Sequence, residues 1–68
     1  MPRSLPEQIE QIGRALTAPE VAKYLNLDKL TIYRLAKAGV IPSFRIASLV
    51  RFDPKSVAKY LRSHEVGA

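Results

Sequence analysis

Two helix-start signals stand close together in the middle of this chain and leave it few ways to fold. At the first, Thr17-Ala18-Pro19-Glu20, the threonine can cap, the proline fits the first turn and the glutamate can close a capping box. The helix that follows, to about residue 25, carries Val21, Ala22 and Leu25 on one stripe, and Asn26 tolerates the left-handed backbone that ends a helix. Leu27 is then expected to pack inward. Asp28 is the second cap, its carboxylate favoured by the helix dipole, and Ile32, Leu35 and Ala36 form the apolar face of a helix over residues 29–38. Gly39 supplies its stop.

A turn of about three residues therefore joins these two helices. Ala22 is small enough to let them approach, Asn26 accepts positive φ in the turn, and branched Ile32 fills the crossing. This is helix-turn-helix spacing, although helical hairpins with no nucleic acid in sight can also bury an alanine and an isoleucine. Packed so, the second helix protrudes, with Lys29, Leu30, Thr31, Tyr33, Arg34 and Lys37 outward. That set offers cations for phosphate, an arginine for guanine, and a threonine for hydroxyl contacts or a thymine methyl.

Charge adds weight to the second half. The chain carries 11 Lys+Arg against 6 Asp+Glu, a formal net charge of +5. Residues 1–28 hold three bases (Arg3, Arg14, Lys23) and four acids (Glu7, Glu10, Glu20, Asp28). Residues 29–62 hold Lys29, Arg34, Lys37, Arg45, Arg51, Lys55, Lys59 and Arg62 against Asp53 alone. A modest positive total serves solubility in many small domains, but its concentration in one segment points to a polyanion.

Beyond Gly39 the period changes from helical to alternating. Ser43-Phe44-Arg45-Ile46 and Val50-Arg51-Phe52 read as a short β-hairpin, with Phe44, Ile46, Val50 and Phe52 on one face and Arg45 and Arg51 on the other. Two strands are marginal alone, so the apolar face is expected to lie against the helices and the arginines to face water or phosphate. Asp53-Pro54 opens a closing helix with Val57, Ala58, Tyr60 and Leu61 inward and Lys55, Lys59 and Arg62 outward. At the other end Ser4-Leu5-Pro6-Glu7 starts a short helix, with Leu5, Ile9 and Ile12 at helical spacing before Gly13. The domain plan is a leader or short helix over residues 1–15, a winged helix-turn-helix over 16–63 and a short tail over 64–68.

The run LTAPEVAKYLNLDKLTIYRLAKAGVIPSFRIASLVRFDPKSVAKYL, residues 16–61, resembles the excisionase-type helix-turn-helix family, a small winged-helix relative of the MerR DNA-binding domain. The matching elements occur in order: an L-T-x-x-E-x-A-x-Y-L helix, T-[IV]-Y-R, G-x-[IL]-P, a hairpin ending in [VW]-R-F, and a closing helix. The resemblance implies a mainly α fold with a small β-hairpin. It places a recognition helix around Thr31, Tyr33 and Arg34 in a major groove of double-stranded DNA and the hairpin on adjacent backbone or minor groove. The DNA-facing set is then Thr17, Lys29, Leu30, Thr31, Tyr33, Arg34, Lys37, Arg45, Ser48 and Arg51.

The family offers two roles, a recombination directionality factor that lines up on DNA and favours excision by an integrase, or a small transcriptional regulator. The chain departs from the family at the wing tip, where Ala47-Ser48-Leu49 stands in place of a glycine-rich or basic turn. Ser48 can bond a phosphate there. Leu49 can wedge at a base step, contact a neighbouring protein or fold back onto the domain, so an adaptor or inhibitor that docks through an apolar wing tip is the competing reading.

Other function classes find little support. At 68 residues there is room for one small core, and a chain this short hides only about 60% of its unfolded surface, so a deep enclosed active site is not expected. The absence of cysteine excludes a disulfide framework and thiolate zinc sites. His64 beside Glu65 reads as solvated, Tyr24 and Tyr60 as half-buried core, and Asp28 and Asp53 as caps, so no catalytic set, metal site or cofactor is expected. No apolar run approaches the roughly 18 residues of a membrane span and no secretory stretch opens the chain. The expected location is cytoplasmic, at the nucleoid when DNA-bound. No heptad helix of the kind by which MerR regulators dimerise follows the closing helix, so a monomer is expected in free solution.

Overall fold

Local capping chemistry sets the helices of this computed structural model, which describes residues 4–64. The order is α1 (Leu5–Glu10), α2 (Ala18–Leu25), α3 (Lys29–Lys37), β1 (Phe44–Ile46), β2 (Leu49–Arg51) and α4 (Pro54–Ser63). Each helix starts at a side-chain cap. The Glu7 amide donates to Ser4 Oγ (3.4 Å), the Thr31 amide to Asp28 Oδ1 (2.8 Å) and the Ser56 amide to Asp53 Oδ2 (3.2 Å). At α2 the capping box is complete, with the Glu20 amide donating to Thr17 Oγ1 (3.3 Å) and the Thr17 amide to Glu20 Oε1 (3.0 Å).

Both helices of the central pair end by the same device. Asn26 takes the left-handed conformation (φ 57°) and the Leu27 amide turns back to the Ala22 carbonyl (2.9 Å). Gly39 has φ 76°, and the Val40 amide reaches the Leu35 carbonyl (2.9 Å). These six-to-one bonds satisfy carbonyls that a helix terminus would otherwise leave open. Leu27 does not pack inward as the sequence suggested; it is 44% exposed. The reversal at Asn26 carries its side chain to the outside, while Ala22 and Ile32, both buried, fill the interior.

One core runs through the fold. Ile9, Leu16, Ala18, Val21, Ala22, Ile32, Ile41, Phe52 and Val57 form a single buried cluster, with Leu25, Leu35, Tyr60 and Leu61 packed against it. Helix α1 contributes Ile9 and lies against α4, where Arg62 Nη1 meets Glu10 Oε2 at 2.6 Å. Leu16 and Phe52 exchange two backbone hydrogen bonds of 2.8 Å, which pin the end of the hairpin to the segment before α2. Tyr60 is half-buried as expected, its ring 4.3 Å from that of His64, whereas Tyr24 is exposed on the outer side of α2. The short tail predicted over residues 64–68 lies, from residue 65 on, outside the described residues.

The hairpin forms where alternation predicts it, but with different faces. A three-residue loop at 47–49 would pair Ile46 with Val50; the chain instead turns on Ala47-Ser48 alone, pairing Ile46 with Leu49, Arg45 with Val50 and Phe44 with Arg51. Directly paired residues share a face, and a slip of one residue moves every side chain of a strand across the sheet. Phe44, Ile46, Leu49 and Arg51 therefore share one face, and Arg45 lies with Val50 on the other. The expectation of Phe44, Ile46, Val50 and Phe52 together against the helices is corrected accordingly. Val50 packs on the core and Phe52 is fully buried, while Ile46 is 60% and Leu49 53% exposed. Ala47 takes φ 55° at the first turn position, where a primed two-residue turn usually has glycine.

Candidate nucleic-acid interface

The second helix of the capped pair presents most of the residues singled out from the sequence. Lys29, Leu30, Tyr33, Arg34 and Lys37 are exposed on α3. Thr31 is half-buried, its amide held by the Asp28 cap. On the hairpin Arg45 and Ser48 are exposed, Ser48 at the turn, and Arg51 is half-buried with Nη1 on the Val50 carbonyl (2.8 Å). Thr17 stands apart from this set in its bonding, since its amide and hydroxyl are both committed to Glu20 in the capping box.

Between α3 and the hairpin runs an open groove of about 540 Å³ lined by Tyr33, Ala36, Lys37, Ser43, Phe44, Arg45 and Val50. It brings Tyr33 and Lys37 of the helix together with Arg45 of the wing, residues that only the docking of the hairpin makes neighbours. Ser43 and Phe44 also line it and were not among the predicted contacts. No local signal marks them, because which strand residues meet α3 depends on the pairing register rather than on the residues themselves.

The charges sort into neutralised and open groups. Arg14 is ion-paired with Glu20, and Arg62 with Glu10. The Arg14 hydrogen bond and the Thr17 amide hold the Glu20 carboxyl down at about 2, and Arg62 lowers that of Glu10. Among the described residues Lys29, Arg34, Lys37, Arg45 and Arg51 have no such carboxylate partner. The carboxyl of Asp28, the cap of α3, is held below the ordinary range by the Thr31 amide and hydroxyl, with a further contribution from the Arg34 charge. Lys29, Arg34 and Lys37 on α3 and Arg45 on the hairpin are thus exposed without a carboxylate partner, as are Lys23, Lys55 and Lys59 elsewhere among the described residues; Arg51, half-buried, lies on the opposite hairpin face from Arg45, and Leu30, Ile46 and Leu49 are exposed on the same two elements. Cations on a helix and an adjoining hairpin can meet phosphates along a duplex while the helix reaches base edges. No group of three or more His, Cys, Asp or Glu that could hold a metal ion occurs among the described residues. No described helix is long and apolar enough to cross a membrane.

Comparison with known proteins places this architecture. Residues 15–65 match the family described as the helix-turn-helix domain. The chain is 41% identical over 44 residues to "Uncharacterized protein YvgK" of Bacillus subtilis (strain 168), a stretch that covers 65% of this chain and 14% of that protein. It is 35% identical over 48 residues to "Putative DNA-binding protein Rv0500A" of Mycobacterium tuberculosis (strain ATCC 25618 / H37Rv), covering 71% of this chain and 62% of the other. The same figures hold for "Putative DNA-binding protein MT0521" of Mycobacterium tuberculosis (strain CDC 1551 / Oshkosh). The chain therefore spans less than two thirds of the length of each of these relatives. No solved structure matches. With its capped helix pair, its two-stranded wing and a family match over residues 15–65, the chain belongs to the helix-turn-helix domain family.

Proposed function

We propose that this protein binds double-stranded DNA sequence-specifically, with α3 in the major groove and the hairpin on adjacent backbone, and that it acts by occupancy or by shaping DNA rather than by catalysis. The observation that carries this reading is the set of cations without a carboxylate partner, Lys29, Arg34, Lys37, Arg45 and Arg51, on α3 and the wing, where the other described arginines, Arg14 and Arg62, are paired with acids. The names of the two mycobacterial relatives support the same reading. In it Arg34 reads guanine, Lys29, Lys37, Arg45, Arg51 and Ser48 meet phosphates, Tyr33 lines the approach from the groove, and Thr17 acts only by fixing the start of α2.

The role is that of an excisionase-like recombination directionality factor or a small transcriptional regulator. A small domain gains specificity by binding beside its neighbours, and an integrase or further copies on DNA are the partners this implies. The test is to titrate the protein onto random-sequence duplexes at two salt concentrations, recover the bound fraction and sequence it. A recovered motif with salt-dependent affinity supports DNA recognition, and its absence near physiological salt refutes it. Footprints that extend in steps as protein is added support the lined-up, directionality-factor role; one fixed footprint supports the regulator.

The exposed Ile46 and Leu49 favour a second reading, an adaptor or inhibitor that docks on another protein through the wing. It would be preferred if Arg34→Ala left biological activity intact while Leu49→Ser abolished it.

A further inference from the structure

We infer that Leu30 is a specificity residue that reads the 5-methyl group of a thymine within about two base pairs of the guanine read by Arg34. The inference rests on the DNA-binding reading above and deepens it. Leu30 is 62% exposed, the highest value among the described large hydrophobics, and it makes no contribution to the buried cluster. It is the second residue of α3. In helix-turn-helix docking the N-terminal residues of the second helix are the ones that meet base edges.

The chemistry of the flanking residues selects the kind of group Leu30 can meet. Lys29 precedes it, Arg34 lies four residues on along the same side of the helix, and neither is paired with a carboxylate. An apolar side chain set between cations of this kind faces a polyanion, and the thymine methyl is the apolar group that a duplex displays in its major groove. Thr31, which the sequence offered for that contact, is half-buried with its amide held by Asp28, so the more exposed Leu30 takes its place. Four residues of helix rise about 6 Å, which matches roughly two base-pair steps. The thymine therefore stands within about two base pairs of the guanine.

Deoxyuridine in place of thymidine removes the methyl and leaves the hydrogen-bonding edge intact, so it isolates this contact. Each thymine of a selected duplex is replaced in turn, and binding is followed by fluorescence anisotropy. Loss of one buried methyl is expected to weaken the wild-type protein about fourfold at one position. Leu30→Ala should bind the thymine and uracil duplexes equally, Leu30→Met should restore the difference, and Arg34→Ala should keep it while losing guanine preference. The inference is overturned if every thymine can be replaced without effect, or if Leu30→Ala retains the wild-type difference; either result leaves DNA binding itself standing. Recovery of no duplex at all overturns the reading and the inference together.

Discussion

Lys37→Gln and Arg62→Gln remove the same unit of charge from the chain, yet the structure predicts different effects on DNA affinity. Lys37 lies on the groove between α3 and the wing with no acidic partner, whereas Arg62 is bound to Glu10 at 2.6 Å where α4 meets α1. If Lys29, Lys37, Arg45 and Arg51 each neutralise one phosphate, log K falls against log salt with a slope of about −3.6, at about −0.9 per contact. Affinity would then drop about 150-fold between 50 and 200 mM salt. Lys37→Gln should flatten the slope to about −2.7, a drop of about 40-fold over the same range. Arg62→Gln should leave the slope unchanged. Anisotropy titrations of one selected duplex at five salt concentrations give all three slopes. Equal flattening by both substitutions would refute the reasoning, because it would mean that DNA responds to net charge and not to the cations of α3 and the wing.

Three further outcomes test other parts of the structure. Ile9→Ala should destabilise the domain by about 2–5 kcal/mol, because Ile9 is fully buried, and thermal melts followed by circular dichroism should drop by ten degrees or more, roughly; an unchanged melt would mean that α1 is dispensable to the core. Arg34→Ala should cost about 1–3 kcal/mol of binding and relax preference at one base pair, whereas Lys29→Ala, at a phosphate contact, should weaken all sequences alike, as competition binding with single-base variants would reveal. The Glu20 carboxyl sits at about 2 in the folded state against an ordinary value of 4.5, so the stability it contributes is complete above that ordinary value and is lost as pH falls towards 2. Glu20→Gln should remove this part of the acid sensitivity, and melts of both proteins between pH 6 and pH 2, compared pairwise, check it; identical pH profiles would contradict the assignment.

The helix boundaries were legible in the chain because a cap is a local event. Thr17 with Glu20, Asp28 and Asp53 each bond an amide within three residues, and Asn26 and Gly39 take positive φ where their own chemistry allows it. The outward face of α3 followed from those boundaries, since the helical period carries Lys29, Leu30, Tyr33, Arg34 and Lys37 away from Ile32. The faces of the hairpin did not follow. Alternation within each strand was clear, but whether Phe44 shares a face with Val50 or with Arg51 depends on one residue more or less in the turn, and Ala47 has no local reason to adopt the φ of 55° that closes the shorter one.

The same division holds for charge. The excess of bases in the second half could be counted along the chain, but the pairing of Arg62 with Glu10 across 52 residues could not, and it decides which cations remain open. Capping and helical period are interactions of near neighbours, written in the order of the residues. Strand register, the side on which Leu27 leaves the turn, and the choice of ion-pair partners are settled by packing between segments distant in sequence, where small differences in geometry decide which contact forms.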